Sequence, residues 1–170
     1  MARAVRAEGG FVDKFIGDAE MAIFGIDDGP QAGARAALAA AAQMAEAIAA
    51  LDREFAGELP GPLRIGIGIH VGPAILGRIG AAGGTAGITA LGDTVNTASR
   101  LENQTKACGS TLVVSHAAVH AAGLVLPPEV ALPAEIKARG RQARLKIYAI
   151  DDPTVLPALL AAVPVRRPAA

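Results

Sequence analysis

Tryptophan is absent from this 170-residue chain, and one tyrosine and four phenylalanines are its only large aromatics. With 52% hydrophobic residues but only 3% aromatic, the core has to be aliphatic, built from Ala, Val, Ile and Leu. A single cysteine, Cys108, excludes a disulfide framework and a thiolate metal cluster; it is expected to be a small buried or half-buried side chain. Neither sign of charge is in excess, because 16 Lys plus Arg balance 16 Asp plus Glu. That balance argues against broad non-specific nucleic-acid binding, which needs a basic surface, but it leaves room for a local phosphate site. No apolar run reaches the length of a membrane span and the N-terminus is charged rather than signal-like, so a cytoplasmic location is expected. At this length one domain with a sizeable core is the expectation.

Turn and helix signals divide the chain. Met1 to Glu8 is Ala- and Arg-rich and reads as a helix end stopped by Gly9-Gly10. Phe11–Ile16 and Ala19–Phe24 read as two strands of a hairpin around Gly17-Asp18. Asp28 and Pro30 open a long Ala-rich helix running from Gln31 to about Phe55. Leu63–Val71 reads as a strand with Ile65, Ile67 and Ile69 on one face. Gly66 and Gly68 on the other face predict a close neighbour there, a helix or a ligand. Gly72-Pro73 turns the chain, Ala74–Ile79 reads as the return strand, and Gly80 to Gly87 as a Gly-rich connector without the Lys-Ser/Thr of a P-loop. Then come a helix from about residue 92 to Lys106, a strand over Thr111–Val114, a short helix capped by Ser115, and a strand pair over 130–137 and 143–150. Asp151 onward reads as a disordered tail or linker. Helices interleaved with hairpins imply an α+β sheet domain.

Two stretches carry chemistry. In Leu91–Glu102 a Gly-Asp-Thr start leads into a helix whose Asn96 and Arg100, four residues apart, share one face. A guanidinium there suits phosphate oxygens, and an amide can orient a sugar. Val95, Ala98 and Leu101 anchor the other side. In Asp13–Asp18, Gly17 permits a tight turn that puts Asp18 at a hairpin tip, open to a hard cation, with Lys14 four residues earlier. His116 and His120 are spaced i, i+4 but lack a third ligand, so they read as a solvated helix face, and His70 as structural.

Gly92 to Arg100 match throughout the pattern Gly-(Asp/Asn)-x-Val-Asn-x-Ala-(Ala/Ser)-Arg, and Lys14 to Asp18 match Lys-x-x-Gly-Asp. In both, the chain resembles the class III adenylate and guanylate cyclase catalytic domain. The resemblance implies a ferredoxin-like sandwich. It also implies conversion of ATP to 3′,5′-cyclic AMP and pyrophosphate, with Mg²⁺ or Mn²⁺ as two clamping ions, at the interface of a head-to-tail homodimer. Asp18 takes the place of a metal ligand. Lys14 and Thr89 take the places that contact the purine; Lys at the first favours adenine over guanine, and Thr at the second stands where many adenylate cyclases have Asp. Asn96 takes the place that orients the ribose, and Arg100 the place that stabilises charge on the α-phosphate. Arg139, or Lys137 beside it, falls near the terminal-phosphate position.

The resemblance covers roughly residues 5–150, leaving 151–170 as tail. The family's first strand, with its first metal-binding aspartate, and its first helix have no counterpart before Phe11. The 170-residue chain by itself is therefore expected to form negligible cyclic AMP; family-like turnover with Mg²⁺ or Mn²⁺ would refute this. Rival readings are a guanylate cyclase and a pseudo-cyclase module serving regulation or dimerisation. A diguanylate cyclase is disfavoured by the absence of a Gly-Gly-(Asp/Glu)-(Glu/Asp)-Phe hairpin.

Overall fold

The computed structural model describes residues 1–79, 87–137 and 144–164. Helix α1 (Ala2–Ala7) runs into an antiparallel hairpin of β1 (Phe11–Ile16) and β2 (Ala19–Ile23). Helix α2 (Gly29–Glu54) follows, with Pro30 in its first turn. Then come β3 (Ile67–Ile69), β4 (Ile75–Ile79), β5 (Gly87–Leu91) and helix α3 (Asp93–Cys108). The described chain is completed by β6 (Leu112–Ser115), α4 (His116–Ala121), β7 (Leu132–Lys137), β8 (Arg144–Ile150), a 3₁₀ turn (Pro153–Val155) and α5 (Leu156–Ala162).

The central sheet has the order β3-β6-β8-β7, parallel at β3-β6 and antiparallel elsewhere. Strand alternation sends its side chains to two cores. Ile69, Leu112, Val114 and Ile150 meet Ala34, Leu38 and Ala41 of α2, Ala118 and Val119 of α4, and Leu156 and Leu160 of α5. On the opposite face Val113, Ile147 and Ala149 meet Leu101 of α3. Both faces being covered, β6 is buried at all four residues. This is the α+β architecture expected.

The glycine expectation is met by a helix. A Cβ on Gly68 would overlap the carbonyl oxygen of Ala98 and the amide nitrogen of Glu102. One on Gly66 would come within 2.5 Å of Thr105 Oγ1. Helix α3 thus lies directly on the backbone of β3, closer than any side chain there permits.

Several expectations are corrected. The strand read over 63–71 pairs only at Ile67–Ile69, because β6 is its one partner among the described strands and offers just Leu112–Val114. Upstream, the Leu63 amide donates instead to Asp52 Oδ1 at 2.7 Å. Strand β4 does not return along β3; it pairs with β5, a strand where the sequence reads as the end of a glycine connector, to form a separate two-stranded sheet. The tail is structured as far as α5: Pro153, Leu156 and Leu160 are buried, and the Arg35 guanidinium of α2 donates to the carbonyls of Ala122, Leu160 and Val163. Residues 165–170 lie outside the described residues. Cys108 is exposed, being the last residue of α3. Helix α2, at 26 residues and a mean hydropathy of 1.2 in its most apolar stretch, is long and apolar enough to cross a membrane by length and composition. A third of that stretch is buried, with Ala34, Leu38 and Ala41 packed in the core, while Ala47, Ala49 and Ala50 nearer the C-terminal end of α2 are exposed.

Candidate active site

Three elements carry the candidate residues: the β1–β2 hairpin, β5 and α3. Lys14 lies on β1, Asp18 follows β1 in the turn, Thr89 lies on β5, and Asn96 and Arg100 lie on α3. Arg139 lies outside the described residues; Lys137 closes β7 and is exposed.

The hairpin is irregular at one place. Val12 pairs with Ala22 and Lys14 with Met21, so Asp13 is an extra residue in the ladder, a β-bulge. Successive strand side chains ordinarily point to opposite faces, and a bulge re-aims them. Here the bulge brings Asp13 and Lys14 together: Lys14 Nζ stands 3.7 Å from Asp13 Oδ2. The Asp13 side chain is 2% exposed and that of Lys14 42%. The same carboxylate oxygen accepts from Thr89 Oγ1 at 2.6 Å and from the Ala90 amide at 3.4 Å. Lys14 and Thr89, 75 residues apart by their numbers, are therefore joined through Asp13. The sequence signal for Asp13 was available: an aspartate is out of place inside a strand.

Helix α3 starts after Gly92, whose φ of 135° is closed to other residues, with Asp93 favourably placed in its first turn. Thr94 Oγ1 donates to the Pro73 carbonyl, fixing that turn to the chain after β3. Asn96 is exposed and Arg100 half-buried, while Leu101 is fully buried. The amide and the guanidinium thus stand one turn apart on a helix whose other side is held by the core. Gly109, at φ 63°, closes its C-terminus.

A metal centre is not complete in these residues. Asp18 is exposed at the hairpin tip, and the described residues contain no group of three His, Cys, Asp or Glu side chains able to hold an ion. His116 and His120 stack on each other on the exposed side of α4, as a solvated face would. His70 Nδ1 lies 2.9 Å from Ser115 Oγ, which also caps α4 by accepting from the Ala118 amide.

An amide and a guanidinium one turn apart on α3, and a lysine and a threonine joined through Asp13, stand on an α+β fold shared with nucleotidyl cyclase domains. Residues 8–150 match the family described as the adenylate and guanylate cyclase catalytic domain, and the chain belongs to that family. Enzymes of this family are lyases that form cyclic nucleotides and are in general metal-dependent. An adenylate cyclase of Anabaena cylindrica is 34% identical over 157 residues, covering 88% of this chain; the chain spans only 30% of that relative's length. Among solved structures, the adenylyl cyclase CyaB from P. aeruginosa matches with a TM-score of 0.71 at 26% identity, covering 88% of this chain and 75% of that one. The guanylyl cyclase Cya2 matches with a TM-score of 0.73 at 24% identity, covering 88% of this chain and 73% of that one, a likeness of fold.

Proposed function

We propose that this domain is the catalytic part of an adenylate cyclase, acting on ATP. The observation that carries the choice of ATP is Lys14, held beside Thr89 through Asp13. An ammonium donates to the unprotonated adenine N1, whereas guanine carries a donor there. Thr89 can accept from the adenine amino group. Asn96 holds the ribose so that its 3′-hydroxyl faces the α-phosphorus. As the 3′-oxygen bonds to that phosphorus and gives its proton to water, the bond from the α-phosphorus to the oxygen bridging it to the β-phosphate breaks and pyrophosphate leaves. Arg100 stabilises the charge that grows on the α-phosphate oxygens. Asp18 contributes a carboxylate toward a cation, with the rest of that shell outside the described residues.

Assembly with a second copy is part of the proposal. Phe15 and Ile16 on the hairpin are 65% and 62% exposed, and Ile75 on β4 is 73% exposed. Apolar side chains this exposed on two neighbouring small sheets suit an interface. In a head-to-tail pair, Asn96 and Arg100 of one copy serve the nucleotide held by the hairpin of the other.

The test is Lys14→Glu in the full-length protein, following cyclic AMP and cyclic GMP formation from ATP and GTP. The wild type is expected to prefer ATP. The variant's ATP-to-GTP ratio of kcat/KM is expected to fall by about 10–100-fold, one recognition contact of ~1–3 kcal/mol. A wild type that prefers GTP, or a ratio unmoved by Lys14→Glu, refutes the reading. The pseudo-cyclase reading is favoured, for the chain by itself, by the described residues containing no group of three His, Cys, Asp or Glu side chains able to hold an ion.

A further inference from the structure

We propose that Asp13 is a specificity-determining positioning residue, which fixes the proton of the Thr89 hydroxyl and so makes Thr89 an obligate acceptor toward the purine. This rests on the adenylate cyclase reading given above. A threonine hydroxyl has one hydrogen to donate and two lone pairs that accept, so an unconstrained Thr89 could serve either adenine or guanine. Adenine presents an amino group at its six-position, a donor; guanine presents a carbonyl, an acceptor. A hydroxyl free to turn discriminates poorly between them.

The structure removes that freedom. An ionised carboxylate only accepts, so at 2.6 Å the hydrogen between Thr89 Oγ1 and Asp13 Oδ2 belongs to Thr89. The Asp13 side chain, 2% exposed, also accepts from the Ala90 amide and faces the Lys14 ammonium. All three neighbours are donors, which holds the acceptor in place. With its hydrogen committed, Thr89 offers only lone pairs to any other partner. A guanine carbonyl brought against them meets oxygen with no hydrogen between. The bulge is the second, independent sign: the ladder interruption falls on Asp13 itself, which is what turns this carboxylate toward β5 rather than leaving it in the hairpin's regular alternation.

The experiment is a double-mutant cycle on the ATP-to-GTP ratio of kcat/KM in the full-length protein, using wild type, Asp13→Ala, Thr89→Val and the double variant. Alanine removes the acceptor (asparagine would keep one, since its Oδ1 can take the place of Asp13 Oδ2 among the same donors), so the Thr89 hydrogen is released to face the base. The ratio is expected to fall about tenfold in Asp13→Ala, the scale of one specificity hydrogen bond. In the double variant it should fall no further than in Thr89→Val. A loss of rate equal for both nucleotides, with the ratio unmoved, would mean that Asp13 only fastens β1 to β5, and overturns the proposal. Effects that multiply in the double variant overturn it too, since Asp13 would then act through Lys14. A second measurement needs no substitution: in isotopically labelled wild-type protein the Thr89 hydroxyl proton should exchange slowly with water, and exchange at the free-hydroxyl rate overturns the proposal. A wild type without ATP preference defeats the adenylate reading; an ATP-preferring wild type whose ratio survives Asp13→Ala defeats this inference alone.

Discussion

Replacing Arg100 with alanine in the full-length protein is expected to lower kcat by about 100–1,000-fold, the size of effect seen when one preorganised donor to a developing charge is removed. The KM for ATP should change much less, because the guanidinium acts on charge that appears in the transition state rather than on the bound substrate. The local structure supports a clean substitution. Arg100 is half-buried on α3, its neighbour Leu101 is fully buried in the core, and among the described residues no ion pair of Arg100 holds the fold. Arg100→Lys should recover only part of the loss, since an ammonium keeps the charge but not the planar fork. Steady-state kinetics of cyclic AMP formation check both. A kcat within threefold of wild type in Arg100→Ala would remove Arg100 from the chemistry, and a loss confined to KM would make it a substrate-binding residue only.

Gly68→Ala is expected to damage both stability and activity, although it adds one methyl group at a residue with no proposed contact to nucleotide. The added Cβ would overlap the Ala98 carbonyl oxygen and the Glu102 amide nitrogen. Both are backbone atoms in the middle of α3, so no side-chain rotation relieves the clash and the helix itself has to shift. Overpacking of this kind costs about 1–3 kcal/mol, which for a domain of this size lowers Tm by roughly 3–10 °C. The same displacement carries Asn96 and Arg100 with it, and a misplacement of about 1 Å can cost ~100-fold in rate. Gly77→Ala is the control: a Cβ on Gly77 of β4 meets nothing within 4 Å and should leave Tm nearly unchanged. Thermal melts of the two variants, with activity measured in the full-length protein, decide the matter. Equal melting of Gly68→Ala and wild type would show that α3 is not seated on β3 as described.

What could be read from the residues follows from how local each signal is. The hairpin around Gly17-Asp18, helix α2 and the helix carrying Asn96 and Arg100 are announced by turn residues, capping residues and a 3.6-residue repeat, and each was found within a few residues of its place. The Gly66 and Gly68 pattern even foretold a close neighbour, though not which one. Strand pairing is not local, and it is where the reading failed. Nothing in Ala74–Ile79 says that it pairs with β5 rather than with β3, and Gly87–Leu91 is a five-residue stretch hemmed between the glycine-rich connector and Gly92, which hides a strand. Helix α5 hid in a Pro- and Ala-rich tail, although Asp152 before Pro153 and Leu156 with Leu160 supply a cap and a helical stripe. The Lys14 and Thr89 positions came from family pattern; the carboxylate joining them did not, because Asp13 contributes through a bulge that no periodicity reveals.

That bulge sets the phase of the hairpin. Up to Val12 the pairs of β1 with β2 keep one register, and from Lys14 to Ile16 they keep one shifted by a residue, which exchanges the faces of the strand. A strand read without the extra residue would turn Lys14 away from β5 and face Phe15 where Lys14 now stands. Exchanging the residue at position 14 to alter nucleotide preference therefore works only while the ladder slips at position 13. A single-residue deletion between Gly10 and Lys14 would do more to the purine site than many substitutions within it, because it would reverse which residues the strand presents without altering their chemistry.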